Sequence, residues 1–303
     1  MVSIILTGLF PSVVLVLIGG LVRNRLSQTA WQGVDRLNFE ILFPALLFTA
    51  ASARPIDPGD LLVMWPLVCA VLGLGVMLSW FARPYGPERF LDFAGCWQTA
   101  WRFNTALGFV VVSALPSADI GLYAIAIGLG IPLVNIMAIA ALSRGTGLSA
   151  LMVVRKVALN PFLLGALAGV LVGITQIPIP ELVMSPVQML GAAAIPVALI
   201  SVGASLNWSS LGQMDGFARL IVTIKLIVLP LAVTLVALVF DLSHPVVPVL
   251  IIFAALPPAT AAHVLAAGFG ADKVRPATLV AQATLLSAAT LPIWMIVAEA
   301  LGV

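Results

Sequence analysis

Stretches of about 20 apolar residues recur along this chain, and each is long enough to cross the hydrocarbon core of a bilayer. Ten can be marked, at about 3–22, 35–53, 61–82, 90–114, 118–142, 152–173, 184–206, 217–240, 245–268 and 276–301. Together they consume nearly all of the 303 residues and leave only short loops. Lipid offers no water to bond backbone amides and carbonyls, so stretches of this length must form helices. The expected fold class is therefore an all-α integral membrane protein with ten transmembrane helices. Charge content agrees: 9% of residues are charged, against about 25% in a soluble domain.

The remaining charges are distributed by side. Twelve basic residues fall in or beside the loops after spans 1, 3, 5, 7 and 9: Arg23, Arg25, Arg36, Arg83, Arg89, Arg144, Arg155, Lys156, Arg219, Lys225, Lys273 and Arg275. The opposite side has Arg54 alone. Basic loops stay on the cytoplasmic side, so both termini are expected on the other face of the cell (inner) membrane. A cleaved signal carries its positive charge before the apolar run, whereas Arg23 and Arg25 follow it. The net charge of +2 gives no reason to expect a nucleic-acid partner. Cys69 and Cys96 lie inside apolar spans and form neither a disulfide framework nor a metal site. No nucleotide loop, zinc spacing or hydrolase elbow is present, so neither a cofactor nor an enzymatic activity is expected.

The two halves repeat one another. "ILFPALLFTAAS" at 41–52 matches "AAIPVALISVGAS" at 193–205, with Pro44 on Pro196, Leu47 on Leu199 and Thr49 on Ser201. "IPLVNIM" at 131–137 matches "LPIWMIV" at 291–297, with Pro132 on Pro292. These prolines fall in the second and fifth spans of each set of five. An odd number of spans per repeat inverts the second copy, so residues 1–143 and 144–303 are expected to be inverted five-helix repeats. Inverted repeats are a mark of secondary transporters, whose sites lie near the midplane where the repeats meet.

The fourth span of each half is the informative one. The first carries "TAWRFNTALGF" and the second "AALPPATAAH". Pro257 and Pro258 supply no backbone donor, and a residue before proline avoids the helical region, so the ninth span should break there. A break at membrane depth survives only when buried in protein or lining a cavity. The amides freed at the start of the following half-helix favour an anion.

"LNFEILFPALLF", "GAAAIPVALISVGASL" and "ALPPATAAHVLAAGFGAD" together resemble the auxin efflux carrier family of membrane transporters, and the likeness runs along the whole chain. The resemblance implies a ten-helix fold similar to bile-acid sodium symporters and sodium–proton antiporters. In that fold helices 4 and 9 are unwound and cross at the midplane, and the molecule is often a homodimer. It implies export or exchange of organic anions, dicarboxylates such as malate and malonate in bacteria and auxin in plants. It also places an asparagine of the helix 4 crossover on the substrate carboxylate, and Asn104 matches that position. Span 4 departs from the family in lacking a proline near Asn104.

Candidate site residues follow. Arg102 lies about a dozen residues into span 4, where a charge costs about 2.5–3.5 kcal/mol, so it is a candidate for the substrate anion or for a buried ion pair with Glu40. Asn104 is a candidate substrate contact, or a bond to a neighbouring helix. Thr105, Pro257, Pro258 and Thr260 complete the substrate set, Thr105 more as a backbone cap than as a ligand. Glu40 and His263 are candidate proton carriers, since a carboxyl in low dielectric and an imidazole both titrate within reach of neutral pH. Their plainer alternatives are an interfacial residue and a hydrogen-bonded packing histidine. Gln98, Asn135 and Gln282 are expected to line the cavity. Trp31, Trp65, Trp80, Trp208 and Trp294 fall mostly near span ends and read as interfacial anchors.

The expected function is secondary transport of small organic anions by alternating access. Helices 1, 2, 6 and 7 would form a scaffold bundle, and helices 3–5 and 8–10 a transport bundle. The "LPPATAAH" segment has no carboxylate for a sodium ion, which favours proton coupling or diffusion down the membrane potential. Three alternatives are a sodium-coupled symporter on the same fold, a non-transporting membrane sensor or scaffold, and an intramembrane enzyme. A sensor usually carries an appended output domain, which this sequence does not show. The aspartates sit at loop edges rather than as a catalytic pair.

Overall fold

The computed structural model describes residues 2–53, 58–144, 158–206, 212, 214–241, 246–259 and 261–302. The described residues are helical with short connections and contain no strand. Helix α1 spans Val2–Val22 and α2 Gln28–Leu37, which runs through a π-turn at Asn38–Leu42 into α3, Phe43–Ser52. There follow α4 (Pro58–Trp80), α5 (Phe90–Trp97), α6 (Thr105–Ser113) and α7 (Ile120–Leu142). The second half holds α8 (Pro161–Thr175), α9 (Glu181–Ser205) and α10 (Gly216–Thr223), which continues through a π-turn at Ile224–Val228 into α11 (Leu229–Val239). The last elements are α12 (Val246–Ala255), α13 (Ala261–Gly268) and α14 (Val274–Leu301).

Among the described residues, five helical segments are long and apolar enough to cross a membrane: Leu62–Trp80, Ile120–Leu142, Glu181–Ser205, Gly216–Val239 and Val274–Leu301. Pro161–Thr175 and Val246–Ala255 are apolar but shorter. The large hydrophobic side chains that remain exposed, such as Leu62, Met77, Leu171, Leu182 and Leu235, sit on these helices and suit contact with lipid chains. This is a multi-pass, all-α membrane protein.

Both π-turns precede a proline. Pro230 cannot donate to the carbonyl of Leu226 four residues back, and the helix widens over 224–228 instead. The stranded Leu226 carbonyl accepts from Trp294 Nε1 at 2.8 Å. Trp294 is therefore buried, at 7% exposure, and is not an interfacial anchor as its sequence position suggests. Trp65 and Trp80 are exposed, and Trp208 lies outside the described residues.

Two helix pairs approach backbone to backbone. On α8, "GALAG" places Gly165 and Gly169 against α3, where an added Cβ would stand 2.5 Å from the Pro44 carbonyl and 2.6 Å from that of Phe48. On α9, a Cβ at Gly203 would collide with the Val16 carbonyl of α1, and one at Gly19 with the Ile200 carbonyl of α9. Small residues permit such contact where no hydrophobic force separates helix from lipid.

Polar clasps tie the ends of several helices. Asp92 Oδ1 on α5 accepts from the Asp272 amide at 2.8 Å, and Arg275 at the start of α14 pairs with Asp215, the N-cap of α10. At the other end of α14, Glu299 Oε2 accepts from Ser117 Oγ at 2.7 Å.

Candidate functional site

Two chain interruptions meet inside the molecule. The first follows α5 and a 3-10 turn at Gln98–Ala100, and leaves residues 102–104 outside any helix. No proline is needed. Asn104 adopts extended backbone and its Oδ1 accepts from Leu107 N at 3.2 Å, which makes it the N-cap of α6. Asparagine bonds readily to nearby backbone, and here that preference restarts the helix. The second interruption covers residues 256–259, around Pro257 and Pro258, between α12 and α13. The Asn104 amide donates to the Pro257 carbonyl at 2.7 Å, so the two interruptions are joined backbone to backbone.

The double proline also strands the carbonyls of Phe253 and Ala254, whose helical donors would be residues 257 and 258. Lys225 Nζ donates to the Ala254 carbonyl at 3.2 Å. Lys225 is 2% exposed and projects from the π-turn of the eighth span. Sequence position marks it as one of the topological anchors, but here its Nζ caps the carbonyl end of a broken helix. The signal that would have found it is positional: a lysine in the middle of an apolar span, five residues before a proline.

Arg102 is 7% exposed and its partners are neutral amides. Nη1 donates to Gln98 Oε1 at 2.8 Å and Nη2 to Asn135 Oδ1 of α7 at 2.5 Å. Gln98 Nε2 in turn donates to the Ala262 carbonyl of α13 at 3.0 Å. Gln98 and Asn135, expected as cavity lining, brace the guanidinium, and Gln98 links it to α13. The pairing of Arg102 with Glu40 does not occur. Glu40 accepts from Arg36 Nε at 2.8 Å one helical turn away, with both side chains largely exposed, at 47% and 77%. The π-turn at 38–42 and the polar face of α2 keep that carboxylate at the surface.

The other candidates are placed as follows. Thr105 is buried as the first residue of α6, and its carbonyl accepts from Tyr123 Oη at 3.5 Å, so the cap is Asn104 rather than Thr105. Pro257 and Pro258 are buried. Thr260 lies outside the described residues. His263 sits half-buried on α13, within electrostatic reach of Asp35, a residue of α2 that sequence reasoning passed over. Gln282 is buried on α14. Arg102, Asn104, Gln98, Asn135, Pro257 and Lys225 thus share one buried region, and Glu40 is outside it.

Comparison with known proteins gives this geometry a context. Residues 143–295 match the family described as membrane transport protein. A protein of Methanothermobacter thermautotrophicus named "Uncharacterized transporter" is 24% identical over 290 residues, covering 94% of this chain and 95% of its own length. A protein of Rhizobium meliloti named "Putative malonate transporter" is 25% identical over 289 residues, covering 89% of each chain. With the family match over half of the chain, relatives aligned along nearly all of it, and apolar helices throughout, the chain belongs to the membrane transport protein family, the auxin efflux carriers that its sequence resembles, and is a transporter rather than an enzyme.

Proposed function

We propose that this transporter carries small organic anions, dicarboxylates such as malonate first among them, through a site at the paired interruptions. The carrying observation is the buried Arg102 guanidinium, whose partners are the oxygens of Gln98 and Asn135 and not a carboxylate. Burying a charge is costly unless a counter-charge arrives. Two neutral amides orient the guanidinium without cancelling it, so the counter-charge is left for the substrate to bring. Lys225 adds a second buried donor at the Ala254 end of the second interruption. The amino ends of α6 and α13 both start from the interruptions and present the positive ends of their dipoles. The Oδ1 of Asn104 caps α6, which leaves its Nδ2 amide to donate to a carboxylate oxygen. A relative named for malonate supports the substrate class.

Alternating access of two inverted repeats, 1–143 and 144–303, is the mechanism this arrangement suits. The packing of α1 on α9 and of α3 on α8 supports it, because a two-fold axis relating the halves exchanges these two pairs. Spans 1, 2, 6 and 7 then form the scaffold. Spans 3–5 and 8–10 form the moving body, and the clasps Asp92–Asp272, Arg275–Asp215 and Ser117–Glu299 brace it at both ends. The molecule would work in the inner membrane as a homodimer with both termini outside. An interior-negative potential of about 100 mV contributes about 2.3 kcal/mol for each negative charge exported.

Proteoliposomes loaded with labelled malonate, malate or an indole acid test the reading. Saturable flux of a carboxylate, competed by its analogues, is expected. Purified, folded protein that moves no organic acid under either an anion gradient or an imposed potential refutes it.

A further inference from the structure

Lys225 holds an amine deep in the interior with a single acceptor. It projects from the π-turn at Ile224–Val228, is 2% exposed, and donates from Nζ to the Ala254 carbonyl at 3.2 Å. Neutral amine and ammonium both donate to a carbonyl, so this bond does not fix the charge. Among the described residues no carboxylate pairs with Nζ; the ion pairs are Arg36–Glu40, Arg89–Asp92 and Arg275–Asp215. Of the elements packed on the π-turn, α11 and α12 carry no ionisable residue. Helix α4 carries the free thiol Cys69 and, near its start, Asp60, and α10 carries Arg219. Helix α14 carries Arg275 and Glu299 at its two ends, engaged by Asp215 and Ser117. No fixed counter-charge therefore holds the ammonium form in place.

The amine and the anion donors grip one short stretch of chain. Ala254, held by Lys225, comes three residues before Pro257, whose carbonyl accepts from the Asn104 amide at 2.7 Å. A chain spans at most about 3.6 Å per residue, so these two carbonyls lie within about 11 Å of each other. Opposite charges about 10 Å apart in a protein interior favour one another about tenfold.

We infer that Lys225 is the proton site of this carrier, taking up a proton as the organic anion binds and releasing it as the anion leaves. The lone pair of the neutral amine forms an N–H bond with a proton from water on the side to which the site is open. The ammonium returns that proton to water on the side where the anion is released, and no bond of the substrate forms or breaks. A dianion such as malonate then crosses with one compensating positive charge. This rests on the anion site at the paired interruptions and adds to it the group that couples transport to protons. Glu40, a candidate for that role by sequence, lies outside this region and is engaged by Arg36.

Equilibrium binding of labelled malonate to the full chain in lipid nanodiscs, followed from about pH 9 down to about pH 7, tests the coupling. Carboxyl groups and imidazole titrate mostly below that range. Wild-type affinity should tighten about tenfold as the pH falls, because proton and anion favour each other reciprocally. Malonate added to weakly buffered protein should draw up to about half a proton per anion, the most that a tenfold coupling moves. Lys225→Gln and Lys225→Arg each keep a donor for the Ala254 carbonyl, the first always neutral and the second always charged. In both, affinity should ignore pH and proton uptake should vanish, with Lys225→Arg binding more tightly than Lys225→Gln. His263→Gln should behave as wild type. Malonate that binds the wild type with no proton uptake and no pH dependence overturns the inference and leaves the anion site standing. A pH dependence that survives in Lys225→Gln also overturns it, and assigns the proton elsewhere. Folded wild type that binds no organic acid at any pH overturns the anion site, and the coupling with it.

Discussion

Replacing Arg102 with alanine separates a guanidinium that binds substrate from one that only braces helices. Its removal strips the donors from Gln98 Oε1 and Asn135 Oδ1, now 2.8 and 2.5 Å from the guanidinium. Each buried acceptor left bare costs about 1–3 kcal/mol. The same change removes a buried charge whose own placement costs about 2.5–3.5 kcal/mol. The two effects oppose each other, so the melting temperature in detergent should shift by only a few degrees. Anion binding has no such offset. A hydrogen bond from a charged group is worth about 1.5–3 kcal/mol, which predicts a loss of affinity of about ten- to a hundredfold. Arg102→Lys should recover part of it, because an ammonium keeps the charge but cannot fork between two oxygens. Equilibrium binding of labelled malonate and thermal unfolding, measured on the same preparation, decide the matter. If affinity stays within about twofold of wild type while the melting temperature falls steeply, the guanidinium is a brace and the assignment is wrong.

The remaining residues make sharper demands in pairs. Asn104→Asp keeps an oxygen to cap α6 and should preserve stability, yet it sets a negative charge beside the anion, so malonate binding should vanish; measurable binding would remove Asn104 from the site. Asn104→Ala should cost about 1 kcal/mol of stability through the lost cap, read as a lower melting temperature. Lys225→Met strands the Ala254 carbonyl again and should destabilise by about 1–3 kcal/mol as well as slow transport, whereas an unchanged melt would show that the ammonium does not serve that carbonyl. Gly169→Ala puts a methyl about where the Phe48 carbonyl stands, at 2.6 Å, and should cost about 1–3 kcal/mol by pushing α8 from α3; wild-type thermal stability would contradict that packing.

Much of this protein is legible in its residues alone. Long apolar stretches and scarce charge dictate membrane helices, because lipid forbids unpaired backbone. Pro257 and Pro258 announce the second interruption by lacking amide protons. The first interruption is legible as an oddity, Arg102 and Asn104 in an apolar run, but its cause is a cap: an asparagine side chain that takes over a backbone bond. Position along the chain misplaces Trp294 and Lys225. Each is held inside by a carbonyl stranded by a proline, Leu226 by Pro230 and Ala254 by Pro258, and such a vacancy on the backbone finds its donor only across the fold.

Hydropathy and backbone chemistry are local, and from them the sequence by itself determined that this chain is a membrane protein of helices interrupted at Pro257 and Pro258. Partner choice is not local. That Arg102 is braced by Asn135 and that Asp35 reaches Ser201 depend on helices 33 and 166 residues apart in sequence being brought together. Glu40 and Asp35 are five residues apart, and nothing in their order tells that Glu40 pairs with Arg36 while Asp35 accepts from Ser201 of α9. The packing of α2 on α9 decides it, because a side chain bonds to the groups that the tertiary fold holds within hydrogen-bond distance.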